Sequence, residues 1–172
     1  MLTFQQSGFK TDSAEEVRDL LELAEDIPYG SPFRDGHIIT DEYGIRDERW
    51  FAGDGNHTGI DIIPAGWEEP PIIRTTANGS VIDFGYNDIK GKYVLFENES
   101  GTFRILYGHL SKIYWQKDTE VRNIPLTKGT KLGIMGDTGL TNGAHLHMEL
   151  YVKSGSDWVL LNPKEIINYV GN

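Results

Sequence analysis

The 172-residue sequence contains no cysteine. Disulfides and thiolate metal sites are therefore excluded, and a bound metal ion would need imidazole and carboxylate ligands. A chain without cysteine is compatible with the cytosol and with a bacterial envelope, so this absence does not assign a compartment.

Positive charge is also scarce, because the sequence has 16 Lys and Arg residues but 26 Asp and Glu residues, and the net charge is −10. Proteins that bind nucleic acid usually present a basic face, so we expect no nucleic-acid partner. No apolar run approaches the roughly 20 residues that a membrane-spanning helix needs, so we expect no membrane span in this chain. The first ten residues lack the charged and apolar segments of a signal peptide. We therefore expect a cytosolic protein or one from which a leader has been removed.

Helical patterns are confined to the two ends of the chain. Near the start, apolar residues recur at helical spacing, namely Val17, Leu20, Leu21 and Ala24. Near the end, Pro163 fits the first turn of a short helix with an apolar side at Ile166 and Ile167. We expect residues 1–36 to form a helical arm and residues 37–172 to form the main domain.

The middle of the chain reads as short strands separated by turn residues. Two pairs of strand-like runs flank Asn78-Gly79 and Ser100-Gly101, which predicts two hairpins. Many short strands at this spacing favour a mainly β fold with minor α structure. The expected architecture is an antiparallel β-sandwich or open-barrel core with a groove.

Three short strings hold four of the five histidines: His57-Thr-Gly-Ile-Asp61, Tyr107-Gly-His109 and Gly143-Ala-His145-Leu-His147. Two histidines and one aspartate around an open position are typical of a hydrolytic zinc site. Two further histidines would then be available for acid–base chemistry. The fifth, His37, lies outside these strings, and we expect it to be a solvated loop residue.

Each string also has a plainer interpretation. His145 and His147 share one face of a strand, but they could be a pair of surface histidines. Asp61 could share a face with His57, or it could cap backbone amides in a turn. A lone histidine at a strand end, such as His109, is more often structural than catalytic. These residues alone leave open which of His145 and His147 would bind a metal.

Taken together, the three strings resemble the lysostaphin-type (LytM-like) zinc metalloendopeptidases, which are bacterial peptidoglycan hydrolases that cut peptide cross-bridges or stems. The resemblance covers residues 38–163 and includes the lead-in Tyr43-Gly-Ile-Arg46 and the run Gly136-Asp-Thr-Gly-Leu-Thr-Asn-Gly before His145. The chain differs from the family pattern at Asn142, where the family usually has Thr or Ser, and it carries extra residues around 116–123. These differences bear on substrate preference more than on catalysis.

The resemblance implies specific roles. The ligands of a single Zn²⁺ would be His57, Asp61 and His147, and the unligated catalytic pair would be His109 and His145. It also implies peptidoglycan peptides as partners and the bacterial cell envelope or extracellular space as the location. It leaves open which bond is cut and which of the two histidines is the general base. We expect a monomer.

Two other functions on the same fold are considered. One is a non-catalytic or latent scaffold that binds wall peptides or regulates other wall hydrolases, with residues 1–36 lying across the groove in the latent case. The complete ligand set counts against a non-catalytic scaffold. The other is a carboxypeptidase or amidase, but such relatives space the first histidine and aspartate further apart. Tyr107 and Trp67 could line the groove, although we expect each to pack in the core.

Overall fold

The computed structural model describes residues 27–45, 55–114 and 123–168. The predicted N-terminal helix, Arg46 of the lead-in and most of the segment 116–123 lie outside the described residues. Those expectations, and the division of the chain at residue 36, therefore stay predictions. In the described part of the chain, no helix is long and apolar enough to cross a membrane.

Strands dominate the described residues, as the turn spacing predicted, and a short helix follows them near the end of the chain. The elements are β1 (His37–Asp41), β2 (Gly44–Ile45), β3 (Asn56–His57), β4 (Ile60–Pro64), β5 (Ile72–Arg74), β6 (Gly79–Asn87), β7 (Gly91–Asn98), β8 (Phe103–Ile113), β9 (Ile124–Leu126), β10 (Lys131–Met135), β11 (Leu146–Ser154), β12 (Asp157–Leu161) and α1 (Lys164–Ile167).

One large antiparallel sheet has the strand order β1-β4-β11-β8-β7-β6-β9. On its flanks, β10 pairs with both β5 and β8, and β12 pairs with β11. A separate two-stranded sheet joins β2 to β3. The predicted mainly β, open antiparallel architecture is confirmed.

The core lies on one face of the central strands. Along β11, alternate apolar side chains are buried at Leu146, Met148 and Leu150, while His147 and Glu149 point to the opposite face. Burial of each such apolar side chain contributes about 1.5–3 kcal/mol to stability. The strand therefore stabilises the core with one face and presents polar groups with the other.

Two expectations about aromatic residues had different outcomes. Tyr107 on β8 is fully buried, so its predicted core role is confirmed. Trp67 is 90% exposed, so the same prediction for it is wrong. Trp67 lies in the loop between β4 and β5, outside the apolar face of the sheet.

One of the two predicted hairpins is also wrong. The Asn78-Gly79 turn does not join β5 to β6, because β5 pairs with β10 while β6 pairs with β7 and β9. Asn78 Oδ1 instead accepts a hydrogen bond from the Lys128 amide at 2.9 Å, and the Thr75 amide donates to the Thr130 carbonyl at 2.9 Å. The hairpin at Ser100-Gly101 is confirmed by the β7–β8 pairing.

Candidate metal centre

Adjacent strands of the large sheet bring the predicted site residues together. In the sheet register, His147 on β11 lies opposite Asp61 on β4 and opposite Gly108 on β8. Residues directly opposite each other in an antiparallel pair project to the same side. His57 ends β3 and reaches the same place because a turn at residues 58–59 connects it to β4.

The side chains of His57, Asp61 and His147 meet in a buried cluster. Asp61 Oδ1 lies 3.0 Å from His57 Nε2 and 2.9 Å from His147 Nδ1. The two imidazole nitrogens are 3.1 Å from each other. One ligand atom from each residue lies within 4.8 Å of the others, and this group could hold a metal ion.

The other ring nitrogens of His57 and His147 form hydrogen bonds on the side away from the cluster. His57 Nδ1 lies 2.8 Å from the Glu42 carbonyl oxygen, which can only accept, so this nitrogen carries the proton. His147 Nε2–H donates to Glu149 Oε1 at 3.1 Å. Such bonds fix the tautomer of a metal-binding histidine. When both rings are neutral, as metal binding requires, the lone pairs of His57 Nε2 and His147 Nδ1 therefore point toward each other and toward Asp61.

These residues fit Zn²⁺. Zinc prefers imidazole and carboxylate donors at about 2.0–2.2 Å in tetrahedral geometry, which separates two ligand atoms by about 3.3 Å. The three ligand atoms of His57, Asp61 and His147 lie 2.9–3.1 Å from one another, which is close to that distance. Three protein ligands would leave one position for substrate or water, as catalytic zinc sites require.

Asp61 is suited to supply negative charge. Burial would raise the pKa of its carboxyl group, but the adjacent imidazole rings of His147 and His57 outweigh burial and hold the pKa well below its usual value. The carboxylate is therefore ionised across the physiological pH range.

Glu149 lies behind His147 and has no exposed surface. Its Oε2 accepts from Lys90 Nζ at 2.6 Å and from the Tyr151 hydroxyl at 2.5 Å, and its Oε1 also accepts from the Thr58 hydroxyl. Burial would raise its pKa, but the hydrogen bond from His147 and the charge of Lys90 hold the pKa well below the usual value. Nothing in the sequence indicated the partner Lys90, which is 59 residues from Glu149 along the chain.

His109 and His145 lie beside the cluster, with ring centroids 4.8 Å apart. His109 Nδ1–H donates to the Thr138 carbonyl at 2.7 Å, and His145 Nδ1–H donates to the Gly143 carbonyl at 2.8 Å. The Nε2 atom of each ring therefore carries a lone pair. His145 Nε2 lies 3.5 Å from Asp61 Oδ2. Burial lowers the pKa of His109, against an opposing effect of its hydrogen bond to Thr138.

A backbone irregularity turns His109 toward the cluster. The β7–β8 register shifts between the pairs Val94–Tyr107 and Lys92–Leu110, and His109 has a φ of 60°. Few residues other than glycine adopt this left-handed conformation. Because of the shift, Tyr107 and Leu110 both enter the core while the His109 side chain lies on the other face. A regular strand would have placed Tyr107 and His109 on the same face.

The structure thus brings all five predicted site residues together. His57, Asp61 and His147 form the cluster, and His109 and His145 flank it. His37 is elsewhere, at the start of β1, where its Nε2 contacts Asn168 Oδ1 at 3.1 Å. The geometry does not test the separate role of each residue, so the roles stay predictions.

Known proteins share this sequence pattern and fold. The chain is 33% identical over 98 residues to the peptidoglycan DD-endopeptidase ShyA of Vibrio cholerae, a match that covers 56% of this chain and 20% of ShyA. The chain therefore matches about a fifth of the length of that curated relative.

Solved structures give the same fold. The catalytic domain of the antimicrobial peptidase lysostaphin from Staphylococcus simulans is 22% identical with a TM-score of 0.61, covering 75% of this chain and 90% of that one. A zinc-containing peptidase from Vibrio cholerae has the same identity and TM-score, covering 78% of this chain and 39% of that one.

The family model of Peptidase family M23 matches residues 55–159. This range is more than half of the chain, and it contains the His57–Asp61–His147 cluster and both flanking histidines. The predicted LytM-like resemblance and the predicted peptidase class are confirmed. The chain belongs to Peptidase family M23.

Proposed function

We propose that this chain is a zinc-dependent endopeptidase that cleaves peptide bonds of bacterial peptidoglycan. One observation carries the proposal: beside the buried His57–Asp61–His147 cluster lie two more histidines, each held by a main-chain carbonyl at Nδ1, so that Nε2 is the atom that can accept a proton. This combination joins a metal-binding group to two proton acceptors in one site, which is what metal-assisted amide hydrolysis needs.

In this proposal His57, Asp61 and His147 hold one zinc ion. Their separations, their burial and the convergence of their lone pairs support the assignment, as do the hydrogen bonds made by the second nitrogen of each histidine. The chemistry that zinc supplies in such a site is Lewis acidity, which polarises a carbonyl group and makes water a stronger acid.

His109 and His145 then perform the proton transfers. Each ring is held by an Nδ1–H bond to a main-chain carbonyl, so its Nε2 can take a proton from the attacking water. The protonated ring can donate that proton to the leaving amine or hydrogen-bond to the developing oxyanion. Positioned acid–base groups of this kind typically contribute about 10²–10⁴-fold to the rate.

The substrate assignment is supported by the sequence match to a peptidoglycan DD-endopeptidase, at 33% identity over a range that includes the site. Lysostaphin, at 22% identity, supports the fold alone. We therefore place the D-alanyl–diaminopimelate cross-link first among candidate bonds. An extended peptide of this kind can lie along a groove lined by strands.

A digestion panel tests the proposal. The zinc-loaded protein is incubated with cross-linked muropeptide dimers and, separately, with pentaglycine, and products are read by mass spectrometry. We expect dimers to become monomers with addition of one water per bond, and His109→Ala to remove this activity. Cleavage of pentaglycine alone would overturn the assignment of the bond, and cleavage of neither substrate by zinc-loaded protein would overturn the proposed function.

A further inference from the structure

Lys90 contacts two parts of the candidate site, namely the flanking residue His109 and Glu149, the hydrogen-bond partner of His147. It lies in the turn between β6 and β7, and its carbonyl oxygen accepts a hydrogen bond from the His109 amide at 2.7 Å. Its ammonium group donates to Glu149 Oε2 at 2.6 Å. The other oxygen of Glu149 accepts from His147 Nε2–H. One residue is therefore linked directly to His109 and, through Glu149, to His147.

The charge of Lys90 is important because Glu149 is fully buried. A buried carboxylate without a cation is strongly destabilising. Tyr151 and Thr58 donate hydrogen bonds to Glu149 from neutral hydroxyl groups, whereas Lys90 donates from a positively charged ammonium group. The Lys90 side chain remains 23% exposed to solvent. Lys90 thus compensates Glu149 without being desolvated to the same degree.

The contacts also fix the direction in which Glu149 points. Lys90 and Tyr151 hold Oε2, which leaves Oε1 facing the His147 ring. The bond from His147 Nε2–H to Oε1 sets the ring so that Nδ1 faces Asp61 at 2.9 Å. If Oε2 lost its cation, only the neutral Tyr151 hydroxyl would hold it, so the orientation of the carboxylate toward His147 would be less firmly fixed.

We propose that Lys90 is a positioning residue of the metal centre, which acts through Glu149 on the orientation of His147. This inference rests on the proposed function, because it assumes that His147 is a zinc ligand. Partners in this outer position typically change metal affinity or activity by about 10–100-fold when they are removed. The link from Lys90 to His109 is made by the main chain, so side-chain substitutions test the Glu149 link alone.

The experiment compares zinc affinity, by competition with a chromogenic chelator, in three variants. Lys90→Met is expected to weaken zinc binding by about 10–100-fold, and Lys90→Arg to recover most of the loss because it restores the charge. Lys92→Met is the matched control, since its ammonium group is on the next strand and contacts the Ser111 carbonyl at 2.8 Å. Unchanged zinc affinity in Lys90→Met would overturn the inference.

A second background shows whether Lys90 acts through Glu149. In Glu149→Gln no buried charge needs compensation, so adding Lys90→Met is expected to change zinc affinity less than about twofold. An equal loss in both backgrounds would overturn the inference. If Lys90→Met alone fails to fold, folding of the double variant supports the pairing and its failure to fold overturns it. Wild-type protein that binds no zinc would instead contradict the proposed function.

Discussion

His57 Nε2 and His147 Nδ1 lie 3.1 Å apart, although 90 residues separate them in the sequence. A neutral imidazole has a single N–H, and each of these rings already donates it on its far side, to the Glu42 carbonyl and to Glu149. Two lone pairs therefore face each other beside the ionised carboxylate of Asp61. A cation between them satisfies all three groups, which is the physical reason for assigning a metal here.

The first prediction separates the two histidine roles. His57→Ala and Asp61→Ala should lose bound zinc, because each removes one of three ligands. His109→Ala and His145→Ala should keep zinc but lose about 10²–10⁴-fold in kcat, because each removes a proton-transfer group. Metal analysis by mass spectrometry and kinetics on cross-linked muropeptides check both statements. Equal zinc content in all four variants would refute the division of roles.

The second prediction concerns Gly59, in the turn between His57 and Asp61. A Cβ atom at this position would overlap the carbonyl oxygen of Met148 in the neighbouring strand. Gly59→Ala should therefore push the turn away from β11, weaken zinc binding and lower the free energy of unfolding by about 1–3 kcal/mol. Chemical denaturation and zinc competition measure these effects.

Gly85→Ala is the control for that substitution. Its added Cβ would meet only the Tyr93 side chain, at an ordinary contact distance of 3.5 Å. We expect wild-type zinc affinity in this variant. A Gly59→Ala protein as stable and as tightly zinc-bound as Gly85→Ala would show that the close approach to Met148 is unimportant.

The third prediction is a pH dependence. Burial lowers the pKa of His109 below the usual value of 6.5, so the neutral ring, which can accept a proton, predominates at pH 6.5. The rate should fall only as the pH falls through this lowered pKa, because the protonated ring cannot act as a base. An NMR titration of the His109 ring, with the pH profile of kcat/KM, checks this. A ring that titrates at or above pH 6.5 would be inconsistent with it.

The fourth prediction concerns the rim of the site. Leu140 is 74% exposed, and its amide donates to the carbonyl of Ile89, which is 67% exposed. Leu140 lies two residues after Thr138, whose carbonyl holds His109. If the substrate packs on this apolar rim, Leu140→Ser should raise KM about five- to thirtyfold, equivalent to about 1–2 kcal/mol of apolar burial.

Ile38→Ser is the comparison for the rim, because Ile38 is a half-exposed apolar residue on β1. Its KM should equal that of the wild type. Steady-state kinetics on muropeptide dimers distinguish the two variants, and the rim would have no role if Leu140→Ser also kept the wild-type KM.

Much of this fold follows from local patterns. Short strand-like runs between turn residues predicted the strands. Ser100-Gly101 predicted the β7–β8 hairpin, where Gly101 takes a positive φ of 68°. The short C-terminal helix was also expected from Pro163 and the apolar pair Ile166 and Ile167. In each case the residues that determine the structure are close together in the sequence.

Long-range partners could not be predicted in this way. Asn78-Gly79 has the composition of a tight turn, yet Asn78 bonds to Lys128, which is 50 residues away. His109 has a left-handed backbone, and its amide donates to the Lys90 carbonyl on a neighbouring turn. No local signal marks either contact.

In the candidate site, too, local motifs were predictable from the sequence and long-range partners were not. Motif spacing and family resemblance identified the five residues, but the residues alone did not separate His145 from His147. The register of β11 against β4 places His147 opposite Asp61, which supports the proposed role of His147 as the ligand. Lys90 carries no recognisable motif and emerges only from its distance to Glu149.

A crystal structure of the zinc-loaded protein, with anomalous data collected at the zinc absorption edge, shows directly which side chains bind the ion. We predict one strong anomalous peak about 2.0–2.2 Å from His57 Nε2, Asp61 Oδ1 and His147 Nδ1, with His109 and His145 outside bonding distance. A peak bound by His109 or His145 in place of these atoms, or no peak at the cluster, would contradict it.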